Sequence, residues 1–397
     1  MTHSSLGERE WWPARARAMA ACLLLLGAGL APAAHAGARE QAKRIYDRIA
    51  GVPPAAAMLD TMTADIAGGN PLAAALRAVE APSFYNVTLK NFATPWTNRE
   101  QTVFAPLNDY TATVIGMVRD DEPFNTLLSA DILYIGAAAT GVPAYSPANN
   151  DHYDQLEQSG ADLKAVLQKT TQSAVTGIPA SATAGVLTTR AASQAFFIAG
   201  TNRAMFRFTL MNHLCRDLEQ LHDTTRPPDR IRQDVSRSPG GDSRIFLNSC
   251  VGCHSGMDPM AQAFAYYNYD EAQGRLAYTS GQVQPKYGIN SDNFKPGYVT
   301  RDDRWDNYWR KGTNQLLGWD ARLPGGGNGA KTLGQELAGS DAFAQCQVEK
   351  VFKAVCFRAP ANAADRNQVG VMTAAFKANG YKMKRVFADA AVYCKGD

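Results

Sequence analysis

The pentad Cys250-Val251-Gly252-Cys253-His254 constrains this chain more than any other feature. Two thiols three residues apart, followed at once by an imidazole, form the attachment signature of c-type haem. The thiols add across the two vinyl groups of a porphyrin. His254 is then held beneath the iron as its proximal ligand. With 7 Cys and 6 His in 397 residues, chance supplies on the order of 0.002 such pentads. A structural zinc site asks for a second ligand pair at similar spacing, and the sequence has none. A thioredoxin-type redox pair asks for βαβ flanks, which are also missing. The cofactor expected is one covalent haem c, anchored by Cys250 and Cys253 and ligated by His254.

Covalent haem implies export, and the N-terminus agrees. Arg9, Arg15 and Arg17 precede an apolar run from Ala18 to Leu30, and Ala34-His35-Ala36 fits a cleavage site. Residues 1–36 therefore read as a signal peptide, with the mature chain near Gly37. The run is too short to span a bilayer comfortably, and no later segment is apolar enough. No membrane span is expected after removal, and the location expected is periplasmic or secreted. The net charge of +3 is too balanced for a nucleic-acid partner, and no basic stripe interleaved with aromatics occurs.

Outside the leader and the pentad, four cysteines remain: Cys215, Cys346, Cys356 and Cys394. In an oxidising compartment they are expected to pair. Cys346 and Cys356 lie on one predicted helix, about 15 Å apart along its axis, so they cannot bridge each other. Two connectivities remain. Cys215–Cys346 with Cys356–Cys394 is preferred over Cys215–Cys356 with Cys346–Cys394.

The organisation expected is mainly α. A helical N-terminal domain over 37–225 is followed by a linker over 226–244, rich in Pro and Gly. A cytochrome-c-like helical haem domain with long irregular loops then fills 245–397. In the first domain, "EQAKRIYDRIAG" is an amphipathic helix stopped at Gly51 by Pro53 and Pro54. The stretch 107–136 reads as two helices joined at Pro123, and "GTNRAMFRFTLMNHLCRDLEQL" reads as one long helix. In the second domain, Asp258 reads as an N-cap and Pro259 as the first residue of a helix reaching Gly274. Phe264, Tyr266, Tyr267 and Tyr269 on it are candidates to line the haem, or ordinary core. Two helices close the chain.

The second axial ligand of the iron is harder to place. Residues 261–371 contain neither Met nor His, so the methionine loop of small class I cytochromes is missing. Met372, Met383, His152, His213 and His222 are the alternatives, with His213 the leading distal candidate. An open iron site is the other option.

Several stretches resemble a known family. "VRDDEPFNTLLSADILY", "GVLTTRAASQAFFIAGTNRAMFRFTLMNHLC", "SCVGCHSGMDPMAQAFAYYNYDEAQGRL" and "ELAGSDAFAQCQVEKVFKAVCFR" are similar, in that order, to consecutive domains of unknown function in large secreted cytochrome-c-like bacterial proteins. The shared positions around the pentad are Met257, Asp258, Pro259, Phe264, Asp270, Gly274 and Arg275. Met260-Ala261 and Tyr267 depart from the pattern. The resemblance implies haem and export.

The function expected is single-electron transfer by an exported monohaem cytochrome. Its partner would be a redox protein or a small-molecule electron donor or acceptor. The alternative is a haem-dependent oxidoreductase, peroxidase- or oxygenase-like, with an open or labile distal position. A third reading makes the haem a structural staple within a binding module.

Overall fold

Glycine and short polar side chains set the helix ends. Helix α1 (Ala38–Ala50) stops on Gly51 at φ 72°, whose N–H returns to the Asp47 carbonyl. Helix α2 (Ala56–Ala67) follows. Helix α3 (Pro71–Ala78) begins where the Asn70 side chain accepts the Ala73 N–H at 3.1 Å, with Pro71 in the first turn.

The order then runs α4 (Asp109–Arg119), β1 (Leu133–Gly136), α5 (Asp151–Gln158), β2 (Leu167–Thr170), α6 (Arg190–Phe196) and α7 (Arg203–His213). Beyond these lie α8 (Val251–Ala261), β3 (Tyr267–Asp270), β4 (Arg275–Tyr278), β5 (Arg304–Asp306) and β6 (Gly326–Asn328). The chain closes with α9 (Gly329–Ala338), α10 (Asp341–Cys356), α11 (Ala363–Ala378) and α12 (Met383–Tyr393).

This computed structural model describes residues 36–197 and 200–396. It is 55% helix and 7% strand, a mainly-α fold. The leader expected over residues 1–36 lies outside the described residues, apart from Ala36. The strands form three small antiparallel pairs, β1 with β2, β3 with β4 and β5 with β6. No described helix is long and apolar enough to cross a membrane.

One hydrophobic cluster runs from Ala42 on α1 to Ala391 on α12. The last helix packs against the first ones: Phe387 meets Phe84 edge-on at 5.0 Å, and Arg44 and Arg48 each donate to a carbonyl just past α12 at 2.7 Å. Both segments, 37–225 and 245–397, contribute side chains to this one cluster. The stretch 226–244 is a packed strap rather than a free linker. Within it Arg230, Ile231 and Arg232 are buried, and Ile231 packs with Phe246 and Val251 beside the pentad. Proline and glycine there forbid regular structure without forbidding burial.

Other expectations change for local reasons. The second helix of the 107–136 stretch is replaced by strand β1, where "LYIG" supplies β-prone side chains. The long helix around Met205 ends at His213, since Cys215 turns the chain at φ 53°. The closing "helix" after residue 363 is two, α11 and α12, broken where Gly380 and Tyr381 both take positive φ. The helix predicted over 259–274 persists only to Phe264, where a short 3-10 turn ends it, and the β3–β4 hairpin follows, in which Tyr267 and Tyr269 alternate with Asn268 and Asp270.

Both disulfides follow the preferred connectivity. Cys215 pairs with Cys346 and Cys356 with Cys394, at Cα separations of 5.4 and 5.6 Å. They tie α10 to the ends of α7 and α12.

Candidate functional site

The pentad lies on a continuous helical run. Asp242 caps it by accepting the Arg244 N–H at 2.9 Å. A π-turn over Phe246–Cys250 precedes α8, and π-turns of this kind concentrate at functional sites. Asp258 and Pro259 sit inside α8 rather than at its start, which corrects the expected N-cap.

At about 100° per residue, Cys250 and His254 share one side of the helix, and Gly252 and Gly256 occupy the other. The glycine side is pressed into the body of the protein. A Cβ on Gly252 would stand 2.2 Å from Nε2 of His222, and one on Gly256 would stand 1.9 Å from Nε1 of Trp309. Only hydrogen fits at both positions. The cysteine side is open: Cys250 and Cys253 are half-buried, and the His254 side chain is 20% exposed. In the turn before the pentad, Ile245 and Leu247 are 44% and 58% exposed.

Among the described residues Cys250 and Cys253 are the free thiols. Burial pushes the Cys253 thiol up, and nearby Glu219 and Asp217 add to that. Its Sγ faces the Leu218 carbonyl at 3.5 Å. A thiol raised in this way is poorly suited to thiolate redox chemistry.

The imidazole has a definite setting. His254 Nδ1 lies 3.1 Å from Oδ1 of Asp258, one turn along α8. Asp258 is fully buried and takes a fork from Arg203: Nε to Oδ1 at 2.7 Å and Nη2 to Oδ2 at 2.8 Å. Arg203 also holds Asp234 of the strap, with Nη2 2.9 Å from Oδ1. The strap closes on Asp258 itself through the Arg232 N–H at 3.3 Å. Burial alone would raise the Asp258 carboxyl, but the Arg203 charge and hydrogen bonds, with His254, hold it well below the usual carboxylate range. Asp258 stays ionised.

These residues fit a covalent haem. Two unpaired thiols and the following imidazole share the partly exposed side of α8. Nδ1 is engaged by Asp258, which leaves Nε2 as the ligating nitrogen.

The five candidates for a second axial ligand are dispersed. His213 is buried, with Nε2 2.7 Å from the Tyr110 hydroxyl and its ring enclosed by Trp96, Tyr110 and Phe343. Burial first, then Lys350, holds it far below the ordinary histidine range. It sits at the opposite end of α7 from Arg203, about 15 Å along the axis. The structure does not bring it to the pentad. His152 has both nitrogens engaged, by the Gly136 N–H at 2.8 Å and the Pro143 carbonyl at 2.6 Å. Met372 and Met383 are buried in the core. His222 does reach α8, but on the glycine side. Phe264 and Tyr267 pack on Phe197 in the shared core, and the Tyr267 hydroxyl donates to the Ala182 carbonyl at 2.6 Å.

As partners of His254, Asp258 and the Arg203–Asp234 pair behind it are not marked by the sequence. The signal for Asp258 was its i,i+4 spacing from His254, visible once the pentad is placed on a helix. Compared with protein-family models, with the curated proteins and with solved structures, the chain matches none.

Proposed function

We propose that this protein is an exported c-type cytochrome with one haem, moving single electrons. The observation that carries the reading is the division of its cysteines. Four are committed to two disulfides, while Cys250 and Cys253 stay unpaired on one open helical face with His254. Each thiol would add across a vinyl group, sulfur to one carbon and hydrogen to the other, with no net oxidation. Haem supplies the one-electron chemistry. The chain's own residues would anchor it through Cys250 and Cys253 and orient the His254 imidazole, while the glycine side of α8 packs into the body of the protein. The two disulfides support a periplasmic or secreted location, and the resemblance to secreted cytochrome-c-like proteins points the same way.

The test is expression with a c-type maturation system. The reading expects covalent haem that survives denaturation, and its loss in the Cys250→Ser/Cys253→Ser double variant. Haem that is extracted by acidified organic solvent, or no haem at all, contradicts it.

A second reading is a haem-dependent oxidoreductase with an open or labile distal position. The dispersal of His152, His213, Met372 and Met383 favours it. Carbon monoxide added to the reduced protein separates the two. An unchanged spectrum supports the carrier, and rapid conversion supports the enzyme.

A further inference from the structure

We propose that Asp258 is the positioning residue of His254, and that Arg203, held from behind by Asp234, sets how much of the carboxylate's negative charge the imidazole feels. This inference rests on the reading of Cys250, Cys253 and His254 as the haem-binding residues.

The geometry leaves Asp258 little freedom. Oδ1 is shared by His254 Nδ1 and Arg203 Nε, and Oδ2 takes Arg203 Nη2 and the Arg232 N–H. The carboxylate cannot rotate without losing its fork to Arg203. Three segments fix it: α8 itself, the start of α7, and the strap. The Asp258 oxygen fixes which ring nitrogen carries hydrogen and points the other away from the helix. A carboxylate on the far nitrogen makes an imidazole a stronger electron donor to a metal, and that favours the ferric form.

Arg203 opposes this, because its charge lies on the same oxygens. Asp234 in turn draws on Arg203 at 2.9 Å, and Arg232 stands 3.7 Å from Asp234. Arg203, Arg232, Asp234 and Asp258 carry two charges of each sign. The influence on His254 therefore depends on their placement rather than on their sum. A carboxylate needed only to cap or brace a helix has no use for this order of alternating charges ending on an imidazole.

The experiment measures the midpoint potential of the purified, covalently loaded protein and of three variants. Asp258→Asn keeps the shape and removes the charge, so the potential should rise. Arg203→Gln frees the carboxylate's charge, so the potential should fall. Arg203→Lys, the milder change, should move it the same way by less and serves if the glutamine variant does not fold. The first two shifts should each reach tenfold in the ferric–ferrous equilibrium, which is about 59 mV for one electron. The iron–imidazole stretch of the reduced protein should drop in Asp258→Asn. Loosening of the fold would shift all variants in one direction. Same-sign shifts, or shifts below twofold with haem retained, overturn the proposal. Wild-type protein without covalent haem overturns the underlying reading instead.

Discussion

The His222 ring lies flat against the Cα of Gly252, with Nε2 only 2.2 Å from where a β-carbon would be. Four residues on, Trp309 does the same to Gly256. The glycines thus let α8 sit deep in the fold while its other side carries the thiols. Alanine at either position should cost about 1–3 kcal/mol through overpacking. Gly370 on α11 has nothing within 4 Å of its missing β-carbon. Gly370→Ala should gain about 0.5–1 kcal/mol. Denaturant midpoints for the three variants check this, and equal effects at all three would contradict the packing argument.

His213 is expected to be a core residue and not an iron ligand. His213→Leu strands the Tyr110 hydroxyl in the interior, at a cost of about 1–3 kcal/mol. The optical spectrum of the haem should not change. A switch in spin state in this variant would return His213 to the distal position.

The disulfides close loops of different length. In the chain-entropy model, removing Cys215–Cys346, with a separation of 131, costs about 5 kcal/mol. Removing Cys356–Cys394, with a separation of 38, costs about 4 kcal/mol. Paired Cys→Ala variants, unfolded by urea, give the two values. Haem attachment should persist in both if they fold, since neither bridge uses Cys250 or Cys253.

Lys286 makes stability depend on pH. Burial pulls its ammonium down to about 7 from 10.5, with Nζ 2.7 Å from the Phe197 carbonyl and from Asn268 Oδ1. Between those pH values the unfolded chain binds more protons than the folded one, so stability rises with pH across the window. Below about pH 7 both states are protonated and the penalty is full. Denaturant midpoints from pH 6 to 10 for wild type and Lys286→Met should diverge at the acid end and converge at the alkaline end. A constant difference contradicts the lowered value.

The parts of this molecule governed by local rules were legible in sequence. Gly51 with Pro53 and Pro54 marked the end of α1, and helical spacing alone ruled out a Cys346–Cys356 bridge. The parts decided by tertiary packing were not. Pro227, Pro228, Gly240 and Gly241 read as a linker, yet Ile231 and Arg232 between them are buried against the pentad helix. Asp258-Pro259 has the chemistry of a helix start but lies within one, because Asp242 had already begun the run. The pentad itself was plain. Its setting was not, since Arg203 reaches Asp258 across 55 positions of chain and Asp234 reaches Arg203 across 31.

Trypsin offers the most direct measurement. No Lys or Arg lies between Arg244 and Arg275, so Ile245–Arg275 is released as one peptide holding both thiols and His254. From protein matured in a c-type expression host, that peptide should carry the mass of one haem and absorb visible light. The same peptide colourless, with Cys250 and Cys253 joined to each other and two hydrogens lighter, would contradict the account.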